Sequence, residues 1–199
     1  MNLSNNIANR EKSAFETRME IVACTNNLLA QQSFEELTVK DICKVADISR
    51  TAFYYHFYDK FEVYQWHLDR LYLEALAQAG RSYTFHEANI DMLNEVLKFK
   101  HLYQAAARLS NKESLASFAR QRRICDLTNT LIYHRGFALT EKLVFQIQIL
   151  ADMEIAYVLQ WLFEGMPLSV QEMADGLDEI VPRDLANILC VIPPSQKKQ

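Results

Sequence analysis

The chain is poor in the residues that make turns. Four glycines and four prolines are spread over 199 positions, and long intervals hold neither, which leaves too few corners for an all-β fold. The cysteines, Cys24, Cys43, Cys125 and Cys190, show no close pairing and no zinc-binding spacing. No basic start followed by an apolar run opens the chain, so a reducing, cytoplasmic setting is expected. Catalytic signatures are also missing: there is no Gly-rich phosphate loop, no GxSxG and no HExxH. The histidines, His56, His67, His86, His101 and His134, are scattered without an evident ligand partner. The chain therefore reads as a non-enzyme, with no cofactor and no metal. A formal charge of −4 argues against coating nucleic acid without discrimination, yet leaves room for a local basic surface.

What the chain does have is apolar content at helical spacing. Half of its residues are hydrophobic, enough for a substantial core. After a polar stretch at residues 1–12 that reads as a mobile arm, Phe15, Met19, Val22, Cys24, Leu28 and Leu29 mark an amphipathic helix to about Gln31. Cys24 and Cys43 fall on apolar helical faces and read as small buried hydrophobes. Asp59 can cap a long helix from Lys60 to Ala79, ended by Gly80. Further helices are expected at about 89–109, 113–134, 140–163, 170–180 and 183–191, with a capping box at Ser169 and Glu172 and a break at Gly165 and Pro167. The segment 140–163 is apolar around most of its circumference, but Gln146, Gln148, Asp152, Glu154 and Gln160 interrupt it too often for a membrane span. Such a helix is either central or covered by a partner. Arg120, Arg122 and Arg123 read as a solvated face pairing with Glu113 or Asp126, the alternative being a second anionic site. The tail PPSQKK reads as frayed, and the fold class as all-α.

The densest information lies between Thr38 and Phe61. Thr38 can cap a helix running from Val39 to about Ala46, and Asp41 can complete the capping box. Asp47-Ile48 breaks the pattern, and Ser49 can cap a second short helix from Arg50 to about Phe57. Two short helices joined by a tight turn read as a helix-turn-helix, whose second helix can lie in the major groove of DNA while the first braces it. The stretch ISRTAFYYHFYDKF, residues 48–61, packs six aromatic rings into fourteen positions. Phe53, Phe57 and Phe61 are expected to anchor the second helix. Tyr54 and Tyr55 either pack or face a partner, and Tyr58 stays unassigned.

The segment TVKDICKVADISRTAFYYHFYDKFEVY resembles the N-terminal signature of the TetR (tetracycline-repressor) family of bacterial regulators. Its Thr-Val, Asp-Ile, Val-Ala, Ile-Ser, Tyr-x-His-Phe and Asp-Lys elements sit at that family's spacing, over about residues 14–64. Two departures stand out: Asp47 occupies a turn position where the family usually has Gly, and Phe53 one where Leu is common. Asp tolerates a left-handed backbone better than most residues, so the turn survives at some cost. The resemblance implies an N-terminal three-helix helix-turn-helix DNA-binding domain over residues 1–60. It also implies a C-terminal helical bundle for effector binding and dimerisation over 61–199. Carried over residue by residue, it assigns base contacts to Arg50, Thr51 and Tyr55, and phosphate contacts to Tyr54, His56 and Lys60. Thr38 and Ser49, at the starts of the two short helices, complete the DNA-binding set.

The function so implied is a transcriptional regulator, by default a repressor. It would bind a palindromic double-stranded DNA operator as a homodimer and be released by a small-molecule effector, with no membrane partner. Two-fold symmetry then expects half-sites about 34–36 Å apart. Residues 1–60 carry seven basic against eight acidic side chains, but segment 48–61 sets Arg50, Lys60 and His56 against Asp59 alone. Few phosphate contacts and a shallow salt dependence follow. Residues 96–109 and 153–174 resemble a subgroup that includes regulators of dihydroxyacetone-kinase operons. Segments 113–134 and 140–163 would pair in the dimer. Trp66, Tyr72, Tyr103, Phe118, Arg122, Tyr157 and Trp161 could line an effector pocket or serve as ordinary core and interface. The rival reading is a DNA-binding relative that recruits a protein partner and takes no effector.

Overall fold

The computed structural model describes residues 3–109 and 114–192. The fold is all-α, with no strand among the described residues. In chain order come α1 (Leu3–Leu28), α2 (Val39–Val45), α3 (Arg50–His56), α4 (Lys60–Glu74), α5 (Phe85–Lys98), α6 (Lys100–Ala107), α7 (Leu115–Asn129), α8 (Glu141–Phe163), α9 (Val170–Glu179) and α10 (Arg183–Leu189). Several expected boundaries move. Residues 3–12 continue α1 instead of forming an arm. The single helix expected over 89–109 is two, divided at Phe99. Helix α4 stops at Glu74 and a 3-10 turn, Leu76–Gln78, carries the chain to Gly80. Gly80 has φ +73, and a Cβ there would stand 2.7 Å from the Ile188 carbonyl oxygen, so the turn requires glycine twice over. The tail from Pro193 onward and Glu113 lie outside the described residues.

The chain forms two compact units. The first gathers the residues up to His67 together with Phe99–Ala106, and the second gathers Leu68–Lys98 with the residues from Ala107 onward. The unit boundary thus falls inside α4. In the first unit Ile21, Val22, Phe34, Leu37, Ile42, Phe53, Phe57, Val63, Tyr64 and Leu102 form the buried core. Helix α6 is fastened into it by polar bonds. The Leu102 amide donates to Asn26 Oδ1 at 3.1 Å, and His67 Nδ1 lies 2.7 Å from the Tyr103 hydroxyl. Cys43 is buried as expected, whereas Cys24 is only half-buried; burial pushes both thiols up.

The α2–α3 turn has the anticipated backbone. Asp47 has φ 51, and the Ile48 amide donates to the Cys43 carbonyl at 3.1 Å, the six-to-one bond of a Schellman ending. A residue with a Cβ costs roughly 1–2 kcal/mol there, only partly offset by the larger unfolded-state freedom of glycine. Asp47→Gly should therefore raise stability by about 0.5–1 kcal/mol, read as a higher urea midpoint at unchanged slope.

In the second unit α7 packs on α8 and α5 on α9. The expectation of a solvated arginine face on α7 fails at one position. Arg123 is buried: its Nε and Nη2 each donate to Glu154 at 2.8 Å, Nη1 donates to the Leu76 carbonyl at 3.1 Å, and the guanidinium lies 5.5 Å from the Phe85 ring centroid. Helical register turns position 123 inward, and a partner on α8 makes its burial tolerable. Arg120 remains exposed and pairs with Asp152, while Arg122 lies 3.4 Å from both Asp69 and Asp126.

Helix α8 is long and apolar enough, by length and composition alone, to cross a membrane. Its buried face, however, carries the Glu154 carboxylate bonded to Arg123 alongside Ile147, Leu150, Ala151, Trp161 and Leu162. The opposite face leaves Phe145, Ile149, Met153 and Phe163 exposed, Phe145 by 63%.

Candidate nucleic-acid interface

Helix α3 has only seven residues, too few to hold itself in water, so its neighbours and its cap must fix it. Ser49 Oγ accepts from the Ala52 amide at 3.0 Å, satisfying one orphan donor of the first turn. Phe53 and Phe57 are fully buried with ring centroids 5.9 Å apart, and Phe57 meets Trp66 edge-on at 5.8 Å. The other face is open. Arg50 and Thr51 are exposed, and Tyr55 shows 81% of its surface and Tyr54 48%. Arg50 Nη2 donates to the Tyr54 hydroxyl at 3.3 Å and its guanidinium lies 5.8 Å from that ring, so the two side chains are held together. His56 is half-buried and meets Tyr55 edge-on at 5.1 Å. Burial, then the Arg18 charge, lower its pKa, leaving a neutral imidazole near pH 7.

Thr38 is exposed at the start of α2, with both sides of its capping box made. Its hydroxyl donates to Asp41 Oδ2 at 2.5 Å and accepts from the Asp41 amide at 3.2 Å. Those hydrogen bonds hold the Asp41 carboxyl below its ordinary range. Phe61 stacks on Phe34 at 5.2 Å, so it braces the α1–α2 connection instead of the reading helix.

The residues suggested for an effector pocket fall into different units. Trp66 and Tyr103 belong to the first. Trp66 packs on Phe15 and Phe57, and Tyr103 bonds to His67. Tyr72, Phe118, Arg122, Tyr157 and Trp161 belong to the second. There the buried Tyr72 hydroxyl donates to the Ala119 carbonyl at 3.1 Å, and Trp161 Nε1 donates to the Leu168 carbonyl at 2.9 Å. Tyr157 lies against Gly176, and Phe118 is half-buried on α7.

Residues 21–65, which hold α2, α3 and the start of α4, match the sequence model of a family described as bacterial regulatory proteins, tetR family. That match marks residues 21–65 as a tetR-family domain. Among solved structures, a protein named dihydroxyacetone kinase operon activator DhaS shares the fold, with a TM-score of 0.65 at 16% identity over 86% of this chain and 96% of that one. A search of curated protein sequences finds no match.

Within this TetR-family domain, two features escaped the sequence reading. Tyr58, left unassigned, is 84% exposed just beyond α3, and its amide donates to Glu62. Lys60 turns inward. Its ammonium donates to the carbonyls of Phe34 at 2.7 Å, Glu35 at 3.2 Å and Leu37 at 2.8 Å, and lies over the Phe34 and Phe61 rings. An ammonium has three donors, and these three bonds engage all of them. Burial accordingly lowers the lysine's pKa. Lys60→Ala is expected to destabilise the first unit by about 1–3 kcal/mol through the lost charge-assisted bonds. The salt slope of DNA binding should stay unchanged; a slope shallower by about one would make Lys60 a phosphate contact after all.

Proposed function

We propose that this TetR-family regulator binds a two-fold operator as a homodimer, inserts α3 of each copy into successive major grooves, and leaves the DNA when a small molecule binds its second unit. The observation that carries the DNA reading is the division of α3 into a buried Phe53–Phe57 face and an open face of Arg50, Thr51, Tyr54 and Tyr55. Arg50, Thr51 and Tyr55 read base edges, with His56, Tyr54, Ser49 and Thr38 beside the phosphates. Repression needs only occupancy of a promoter, and is the sign we adopt; the word activator in the name of the structural relative belongs to that protein. A cytoplasmic location follows from the DNA target. Footprinting on the DNA upstream of the protein's own and neighbouring genes tests the reading: protection of two half-sites one helical turn apart, overlapping a promoter, is expected, and protection that lies wholly upstream would make the protein an activator.

The exposed α8 stripe supports the homodimer, since Phe145, Ile149 and Met153 recur every fourth residue on one face. Phe145→Asp combined with Ile149→Asp should give a monomer by light scattering and lose most operator affinity; an unaltered dimer would move the interface elsewhere. For the effector, support comes from Arg122 Nε and Asp126 Oδ2, 3.4 Å apart, buried, and without a hydrogen bond. They offer a polar anchor near the buried Tyr72, on whose hydroxyl both charges act. An effector that prefers the released state would act through α4, which belongs to both units. A metabolite screen by thermal shift should find a stabilising ligand. A screen without one would favour a regulator that recruits a protein instead.

A further inference from the structure

With Lys60 turned inward, Arg50 is the single Lys or Arg of α3, and Lys40 and Lys44 stand exposed on α2, so the elements flanking α3 bear on how the DNA backbone is held. A cleft of about 330 Å³ opens between α1 and α3, lined by Ser13, Ala14, Thr17, Tyr55 and His56. Every lining residue but Ala14 carries a hydroxyl or a ring nitrogen. The Thr17 hydroxyl donates to the Ser13 carbonyl at 2.9 Å, so its one proton is engaged within α1, and the Tyr55 and His56 rings meet edge to face. Next in sequence to Thr17, the Arg18 guanidinium lies 5.6 Å from the Phe57 ring and 5.4 Å from the Trp66 ring, with Nε buried and lacking a hydrogen bond. Its charge reaches His56, whose pKa it lowers after burial has done so. The Ser13 hydroxyl and the His56 ring N–H are neutral donors that suit a phosphodiester oxygen with the Arg18 charge nearby, and Tyr55 ties the cleft to the reading face of α3.

We propose that this cleft seats one backbone phosphate of the operator, held by the Ser13 hydroxyl of α1 and the His56 imidazole of α3, with Thr17 and the edge of the Tyr55 ring as its walls and Arg18 supplying the positive field. Helix α1 is then a wall of the DNA site and sets the register of α3 in the groove. The inference rests on the DNA-binding reading above, and its test separates the two. Ala14→Glu places a carboxylate in the cleft while removing no contact, and Ala14→Lys places an ammonium there. Titrations of operator and scrambled duplex by fluorescence anisotropy should show Ala14→Glu weakening both by about tenfold or more, with sequence preference and melting temperature kept. Ala14→Lys should tighten both and steepen the salt slope by about 0.9. If Ala14→Glu binds the operator like the unmodified protein, or changes which bases are preferred, the phosphate seat is wrong. If the unmodified protein binds neither duplex, the DNA reading itself has failed. Inorganic phosphate at constant ionic strength is the remaining arm: it should leave DNA affinity unchanged. Stabilisation of the unmodified protein but not of Ala14→Glu, with no effect of that substitution on DNA, would mark a free-anion site and overturn the proposal.

Discussion

Arg123→Ala is expected to lower the stability of the second unit by about 3–5 kcal/mol, because it leaves the Glu154 carboxylate buried and uncompensated. The geometry makes the loss large. Both Glu154 oxygens accept from the guanidinium at 2.8 Å, and the Leu76 carbonyl loses its donor as well. Desolvation of two charges opposes their attraction, so the pair's net worth is much smaller than the cost of breaking it. Arg123→Met with Glu154→Leu should therefore fall within about 1–2 kcal/mol of the unmodified protein, on either side. Urea unfolding of Arg123→Met, Glu154→Leu and the double closes the cycle. A loss below about 1 kcal/mol for Arg123→Ala would mean that water reaches the pair.

Phe53→Ala should cost about 3–5 kcal/mol and abolish DNA binding, because the ring fills the core beneath a helix of seven residues. Tyr55→Ala, two positions on, should leave stability within about 0.5 kcal/mol and instead lose about 1–3 kcal/mol of discrimination at one operator position. The two substitutions separate anchoring from reading within a single turn of helix. Denaturation measures the first, and binding to operators substituted base by base measures the second. Retained operator binding by Phe53→Ala would show that α3 does not depend on this anchor. Unaltered preference in Tyr55→Ala would remove the tyrosine from the base-reading set. An intermediate variant, Phe53→Leu, should restore much of the lost stability and with it the binding.

Local chemistry was the legible part. The caps at Thr38, Ser49, Asp59 and Ser169 form as their spacing implies, since each involves side chains and amides within three residues. The left-handed turn at Asp47 follows from the break between two helical patterns. Helix ends were less legible: α4 gives way to a 3-10 turn at residues whose apolar spacing continues unbroken to Ala79. Periodicity reports which face is apolar and says little about where a helix stops, so Phe99, which parts α5 from α6, left no mark in the pattern.

The sequence by itself determined an all-α chain, a helix-turn-helix at its front, and the separation of Phe53 and Phe57 from Tyr54 and Tyr55. These rest on residue type and on spacings of a few positions. Tertiary structure alone decided where the charges go. Lys60 closes over carbonyls more than twenty residues upstream, and Arg123 meets Glu154 thirty-one residues downstream. Ser13 and Thr17 of α1 come beside Tyr55 and His56 of α3 only through the packing of the first unit. A long flexible cationic side chain reads the same in sequence whether it points at solvent, at a phosphate or at a buried carbonyl. Its direction is set by which acceptors the folded chain brings within hydrogen-bonding distance.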